Sequence, residues 1–170
     1  MQPLVSFILL LAASGFIGSV RSGDVPAVRQ MLARGADPNA AEGANDWTPL
    51  LHAIHKNQLG SVEALLDGHA NPNLAVNGMT PLMMSAGYGY TPIVRLLLAR
   101  GADPRIRDLD GWTAVDYAVS GMTDIDRFTF FSCQDDTVRA LIAGHAPREI
   151  TTRWRRWGAI KGCSSISLFR

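Results

Sequence analysis

The feature that most constrains this chain is that it repeats itself. Gly35-Ala36-Asp37-Pro38-Asn39 returns as Ala70-Asn71-Pro72-Asn73, then as Gly101-Ala102-Asp103-Pro104, with a weaker echo at Gly144-His145-Ala146-Pro147. Thr48-Pro49-Leu50 returns as Thr80-Pro81-Leu82 and as Thr113-Ala114-Val115, the threonines standing 32 and 33 residues apart. Val28-x-x-Met31-Leu32 is matched by Val62-x-x-Leu65-Leu66, Val94-x-x-Leu97-Leu98 and Val138-x-x-Leu141-Ile142. A fixed period of this size means stacked supersecondary units, none of which can bury its own apolar face.

Each phrase has a local physical meaning. Thr-Pro places a hydroxyl where it can cap a helix, followed by a ring whose φ is already helical. Short helices are expected over Leu50–Lys56 and Leu82–Tyr88, with the small Ala53 and Ala86 allowing close neighbours. Tight turns are expected at Gly23, Asn57 and Gly89, residue types that accept positive φ. The second helix of each unit carries Val and a Leu pair at i, i+3, i+4, one apolar stripe. It should end near Gly35, Gly68 or Gly101, where an Asp/Asn-Pro turn leads the chain into a loop.

These three phrases in one register resemble the ankyrin repeat, whose signature includes T-P-L-H-x-A. The resemblance covers residues 14–148. It implies an all-α fold, an ankyrin-repeat helical solenoid of about four helix-turn-helix units joined by β-turn loops. The domain is expected over 15–148, with units at about 14–46, 47–78, 79–111 and 112–148. Phe16, Ile17 and Val20 should supply the first opening helix. The fourth unit contains an insertion, 122–132, whose Phe128, Phe130 and Phe131 are expected to plug the exposed end of the last repeat. The family's usual histidine position holds Leu51, Met83 and Asp116, so its side-chain hydrogen bond is expected to be missing.

The resemblance also implies where a partner would sit, because the family grips partners with its loop tips and the exposed side of its first helices. Carried over by position, that surface consists of Trp47, Met79 and Trp112, then His52, Met84 and Tyr117, then His55, Tyr88 and Gly121. Exposed Trp, Tyr and Met concentrate binding energy at interfaces. The competing reading is that the Trp and Met side chains pack on neighbouring loops and stiffen them.

The ends of the chain differ from its body. Leu4–Ala13 is a ten-residue apolar-rich run, too short for a membrane span of roughly 20 residues and suited to a signal-peptide core, followed by small residues. Residues 1–14 are therefore read as a signal-like segment. A capping helix, or an anchor over Leu4–Val20, are the alternatives. Residues 1–147 hold 10 Lys/Arg and 14 Asp/Glu, whereas 148–170 hold 6 and 1, so 149–170 is a basic tail. Its Thr151-Thr152-Arg153-Trp154-Arg155-Arg156-Trp157 run is of a type that can touch lipid headgroups or nucleic acid. A solvated tail, or a helix laid over the last repeat, is the favoured reading. The two cysteines, Cys133 and Cys163, make no disulfide framework. A bridge between them is open if the chain is exported, but two separate thiols are the favoured reading.

Motifs for chemistry are absent. His52-Ala53-Ile54-His55 has spacing that can seat a metal, but lacks further ligands and the glutamate of H-E-x-x-H. Asp103, Asp108 and Asp110 lack the spaced ligands of a calcium loop and are read as turn caps. No phosphate loop, dinucleotide fingerprint or nucleophile elbow occurs. The expected function is a protein–protein interaction module, exported and monomeric, with no catalysis, no cofactor, no metal and no nucleic-acid partner. Two alternatives stay open. One is a membrane-anchored adaptor touching lipid through 1–20 or 149–170, and the other a metal-dependent enzyme using His52 and His55.

Overall fold

The computed structural model describes residues 15–41, 45–121, 133–150, 152–160 and 162–169. The signal-like segment 1–14 and the insertion 122–132 lie outside the described residues. The chain divides into two compact units, 1–71 and 72–170. The fold is an all-α helical repeat of the solenoid kind, and among the described residues the extended pairing is an isolated bridge between Val76 and Met79.

The first unit holds α1 (Phe16–Ser22), α2 (Val25–Ala33), α3 (Pro49–His55) and α4 (Leu59–Asp67). Helix α1 packs on α2 and α3, α2 on α4, and α3 on α4. Val20, Val28, Leu50, Leu51, Ile54, Val62 and Leu65 fill the space between them. Asp24 caps α2 by accepting from the Ala27 N–H at 3.1 Å, and Thr48 caps α3 by accepting from Leu51 N–H at 3.3 Å. The expected turn residues Gly23 and Asn57 have φ of 78° and 55°. Helix α2 ends on Gly35 at φ 93°, as expected, but at the end of α4 the left-handed residue is His69 (φ 67°), one position beyond Gly68. Gly68 serves a different need: a Cβ there would stand 2.8 Å from Leu32 Cδ1 of the preceding repeat. Asn39 ties the repeats together, its Oδ1 accepting from Asn71 N–H at 2.8 Å.

The second unit holds α5 (Pro81–Gly87), α6 (Thr91–Ala99), α7 (Ala114–Ser120), α8 (Asp135–Ala143), α9 (Thr152–Ile160) and a 3₁₀ turn, Ser164–Leu168. Helix α5 packs on α6 and α7, α6 on α8, and α7 on α8. Leu82, Ile93, Val94, Leu97, Val115, Val119, Val138 and Leu141 are buried. Thr80 accepts from Met83 N–H at 3.2 Å. At α7 the cap is reorganised: Asp116 accepts from both the N–H and the hydroxyl of Thr113, at 2.8 and 2.9 Å. The expectation that the histidine position contributes no side-chain hydrogen bond is therefore corrected at Asp116, whose carboxylate reaches back over the helix start. Asn73 spans two turns, donating to Gly101 C=O at 3.0 Å and accepting from Asp103 N–H at 2.7 Å.

Of the two forms expected for the tail, the described residues take that of a helix against the last repeat. Helix α9 lies against α7, and the 3₁₀ turn lies against α8 and α9. Cys133 and Cys163, read from sequence as separate thiols, are joined in a disulfide with Cα atoms 5.6 Å apart. Sequence separation hid this, because only the fold of 134–162 returns the tail to the start of α8.

Candidate functional site

In the first unit the predicted residues Trp47, His52 and His55 come together. The half-buried Trp47 ring meets both imidazoles edge-on, with centroids 5.5 and 5.2 Å apart. The spacing follows from helix geometry: His52 and His55 are three apart on α3 and share a face, and Trp47 immediately precedes the capping Thr48. The histidine pair is thus a platform for an indole. Groups of three or more metal-ligating side chains do not occur among the described residues.

In the second unit the loop before α7 is built around Asp108. Its Oδ1 accepts from Asp110 N–H at 2.9 Å and Trp112 N–H at 2.8 Å, while Oδ2 accepts from the Tyr117 hydroxyl at 2.6 Å. Asp108 N–H donates to Trp112 C=O at 2.9 Å, which closes the loop on itself. Trp112 meets Tyr117 edge-on at 5.7 Å. Partial burial, and then the hydrogen bond to Asp108, push the Tyr117 phenol well above its ordinary pKa; the carboxylates of Asp108, Asp110 and Asp116 act in the same direction. The turn-cap reading of the loop acids describes Asp108. Asp103 is held below the usual carboxylate range by its hydrogen bonds with Arg105, which approaches within 2.9 Å.

Two predicted contact residues are corrected. Met84 and Tyr88 are 1% and 7% exposed, so neither presents an open surface. Met84 lies on α5, every residue of which is buried, and Tyr88 is its C-cap, whereas His52 and His55 on the counterpart α3 are half-exposed. Tyr88 instead stacks on Tyr90 at 5.3 Å. Met79 is half-buried at the root of a two-residue turn, Asn77-Gly78, whose φ values of 50° and 82° are those of a type I′ hairpin. Gly121, grouped with this face by position, is partly exposed with φ 73°.

One residue was missed. Leu109, at the tip of the Asp108 loop, is 87% exposed. A Cβ on Gly78 would stand 2.9 Å from its Cγ, so the Asn77-Gly78 tip lies directly beside it. The signal available in the sequence was an apolar residue between two aspartates in a loop.

A family model described as ankyrin repeats in three copies matches residues 16–108 and 70–142. Among curated proteins, the chain is 36% identical over 91 residues to the mouse B-cell lymphoma 3 protein homolog, covering 53% of this chain and 20% of that one. It is 25% identical over 145 residues to the chicken nuclear factor NF-kappa-B p105 subunit, covering 84% and 13%. It is 35% identical over 94 residues to a fission-yeast glycerophosphocholine phosphodiesterase, covering 54% and 8%. The chain therefore spans a fifth or less of the length of these relatives. Repeats of this kind are in general interaction modules without catalysis of their own.

Proposed function

This chain belongs to the ankyrin-repeat family, and on that premise we propose that it is an exported protein-binding module that holds its partner on the loop before α7, with the Trp47 platform of the first unit as a separate contact surface. The observation that carries this is Leu109: a large apolar side chain, 87% exposed, held out on a loop that Asp108 makes rigid. Exposing leucine to water is unfavourable unless something covers it, and a rigid loop loses little entropy when it docks. Trp112 and Met79, both half-buried, extend the apolar surface around it. The partner is a protein with an apolar pocket or groove.

Export is supported by the apolar run 4–13 and by the Cys133–Cys163 disulfide, since such bonds persist mainly in oxidising compartments. The test has two arms. Affinity capture with the purified chain is run beside Leu109→Ser and the Trp47→Ala/Trp112→Ala double variant; a partner retained equally by all three overturns the binding surface. Mass measurement of the protein recovered from cells reports processing. A chain starting near Gly15 supports export, and an intact Met1 supports the membrane-anchored adaptor instead.

A further inference from the structure

We propose that residues 152–160 and 162–169 form a cap against α7 and α8 that is fastened by a redox-sensitive clasp, built from the Cys133–Cys163 bond and the Asp135 carboxylate. This goes beyond the binding reading and does not depend on it.

The clasp has two halves on one short stretch of chain. Cys133 lies just before α8, and Cys163 is the residue before the 3₁₀ turn. Two residues after Cys133, Asp135 accepts from the Ser165 and Ser164 N–H groups at 2.7 and 3.2 Å. These are the first donors of the 3₁₀ turn, which have no partner within it. Arg139, one helical turn further along α8, donates to Ser164 Oγ at 3.2 Å. The start of α8 thus grips the start of the 3₁₀ turn covalently and through a carboxylate together.

What the clasp holds down is α9. A Cβ on Gly158 would lie 3.3 Å from Val119 Cγ1 of α7, 3.3 Å from Cys163 Sγ and 2.7 Å from Ile166 Cδ1. The backbone of α9 is therefore sandwiched between the fourth repeat and the 3₁₀ turn. Further ties lie within the tail: Cys163 N–H to Gly158 C=O at 2.9 Å, and Arg155 Nη2 to Phe169 C=O at 2.9 Å. Among the described side chains of α9, Arg155, Arg156, Ala159 and Ile160 face solvent and Gly158 is buried, and a nine-residue helix depends on tertiary contacts to stay in place.

Closing the clasp joins the two Sγ atoms while two protons and two electrons pass to a disulfide-bearing oxidant, which leaves as the dithiol. A dithiol reductant reverses the step and returns both thiols. With the bond open, among the described residues the Asp135 carboxylate and Arg139 still tie the 3₁₀ turn to α8, and the face of α7 bearing Val119 becomes uncovered.

The test is amide hydrogen exchange on the full chain, after oxidised glutathione and after dithiothreitol. Reduction is expected to speed exchange of the Cys163, Ile166 and Phe169 amides at least about tenfold, leaving α5 and α6 unchanged. Trypsin should cut after Arg156 and Lys161 faster by a similar factor. Cys163→Ser should behave as the reduced protein in either buffer; if it does not fold, wild-type chain reduced in place supplies the same comparison. Equal exchange in both states overturns the proposal. So does an even acceleration across 72–170, which would make the bond a staple of the whole unit, or two titratable thiols persisting after oxidised glutathione.

Discussion

The Tyr117 hydroxyl donates a 2.6 Å hydrogen bond to Asp108, nine residues earlier in the chain. Because the other oxygen of Asp108 holds the Asp110 and Trp112 amides, one carboxylate couples a helix side chain to the backbone of the loop that precedes it. The loop's shape is set by this link, and Leu109 and Trp112 are displayed by it.

The link predicts an alkaline weakness. The Tyr117 phenol is raised, first by burial and then by Asp108. Below the ordinary phenol pKa of about 10 both folded and unfolded chains keep the proton, and the contribution to stability is complete. Above it the unfolded chain releases the proton while the folded chain retains it, so stability falls as pH rises from about 10 toward the folded value. Following tyrosinate absorbance, Tyr117→Phe should abolish the latest of the titration phases, and Asp108→Asn should bring that phase to lower pH. A titration curve indifferent to both variants would exclude the link.

Leu109 and Trp112 should separate binding from stability. Leu109 is 87% exposed, and Leu109→Ser should change the unfolding free energy by less than about 0.5 kcal/mol while weakening partner capture. Trp112 is half-buried against Tyr117 at 5.7 Å, and Trp112→Ala should lower both, with a stability loss of about 1–2 kcal/mol. Chemical denaturation of the two variants checks this. A Leu109→Ser loss as large as that of Trp112→Ala would mean the leucine is a packing residue.

Asn73 should matter more than its half-buried position in a loop suggests. It donates to Gly101 C=O and accepts from Asp103 N–H, fastening two consecutive turns. Asn73→Ala removes these two bonds and should destabilise the second unit by at least about 2 kcal/mol, at roughly 1 kcal/mol per bond. Asn73→Asp keeps the acceptor alone and should lose about half as much. Urea unfolding of the two variants orders them, and equal losses would refute the two-bond account.

Much of the fold could be read from residues, and the reason is local chemistry. Thr48 and Thr80 mark helix starts because their hydroxyls accept from the first turn, Thr113 marks one although Asp116 takes over its cap, and Gly23, Asn57 and Gly89 mark turns because few side chains accept positive φ. The site was less legible. Trp47, His52 and His55 lie three to eight residues apart and their proximity follows from one helix, so they were found. Met84 and Tyr88 occupy matching positions in the repeat yet are buried, because the depth of a side chain is set by the residues packed around it and the repeat pattern carries no such information. Asp108 could be read as a turn cap, but its bond to Tyr117 depends on α7 being in place, and the exposure of Leu109 beside it carries no local signal. Cys133 and Cys163 are 30 residues apart, with the tail's path between them set by packing.

The clasp should also respond to acid. Burial alone would raise the Asp135 carboxyl, but hydrogen bonds from Ser165 and Ser164 outweigh it and hold the group below its ordinary value. A depressed carboxylate contributes stability above the unfolded pKa of about 3.9 and loses it as pH falls through the folded pKa. Between neutral pH and about 4 the oxidised cap should therefore stay closed. Further acidification should loosen the Ser164–Ser165 end while the disulfide still tethers it. The Ser165 amide proton reports this directly, because its chemical shift follows the carboxylate it donates to. In the oxidised protein its titration midpoint should lie below about 3.9, and in Cys163→Ser it should move up toward that value as the 3₁₀ turn drifts from α8. Asp135→Asn should remove the midpoint altogether and give at neutral pH the same low Ser165 protection, relative to an unstructured amide at that pH, that acid gives the wild type. A Ser165 resonance that does not titrate in the oxidised chain would show that Asp135 is not its acceptor, and the electrostatic half of the clasp would fall with it.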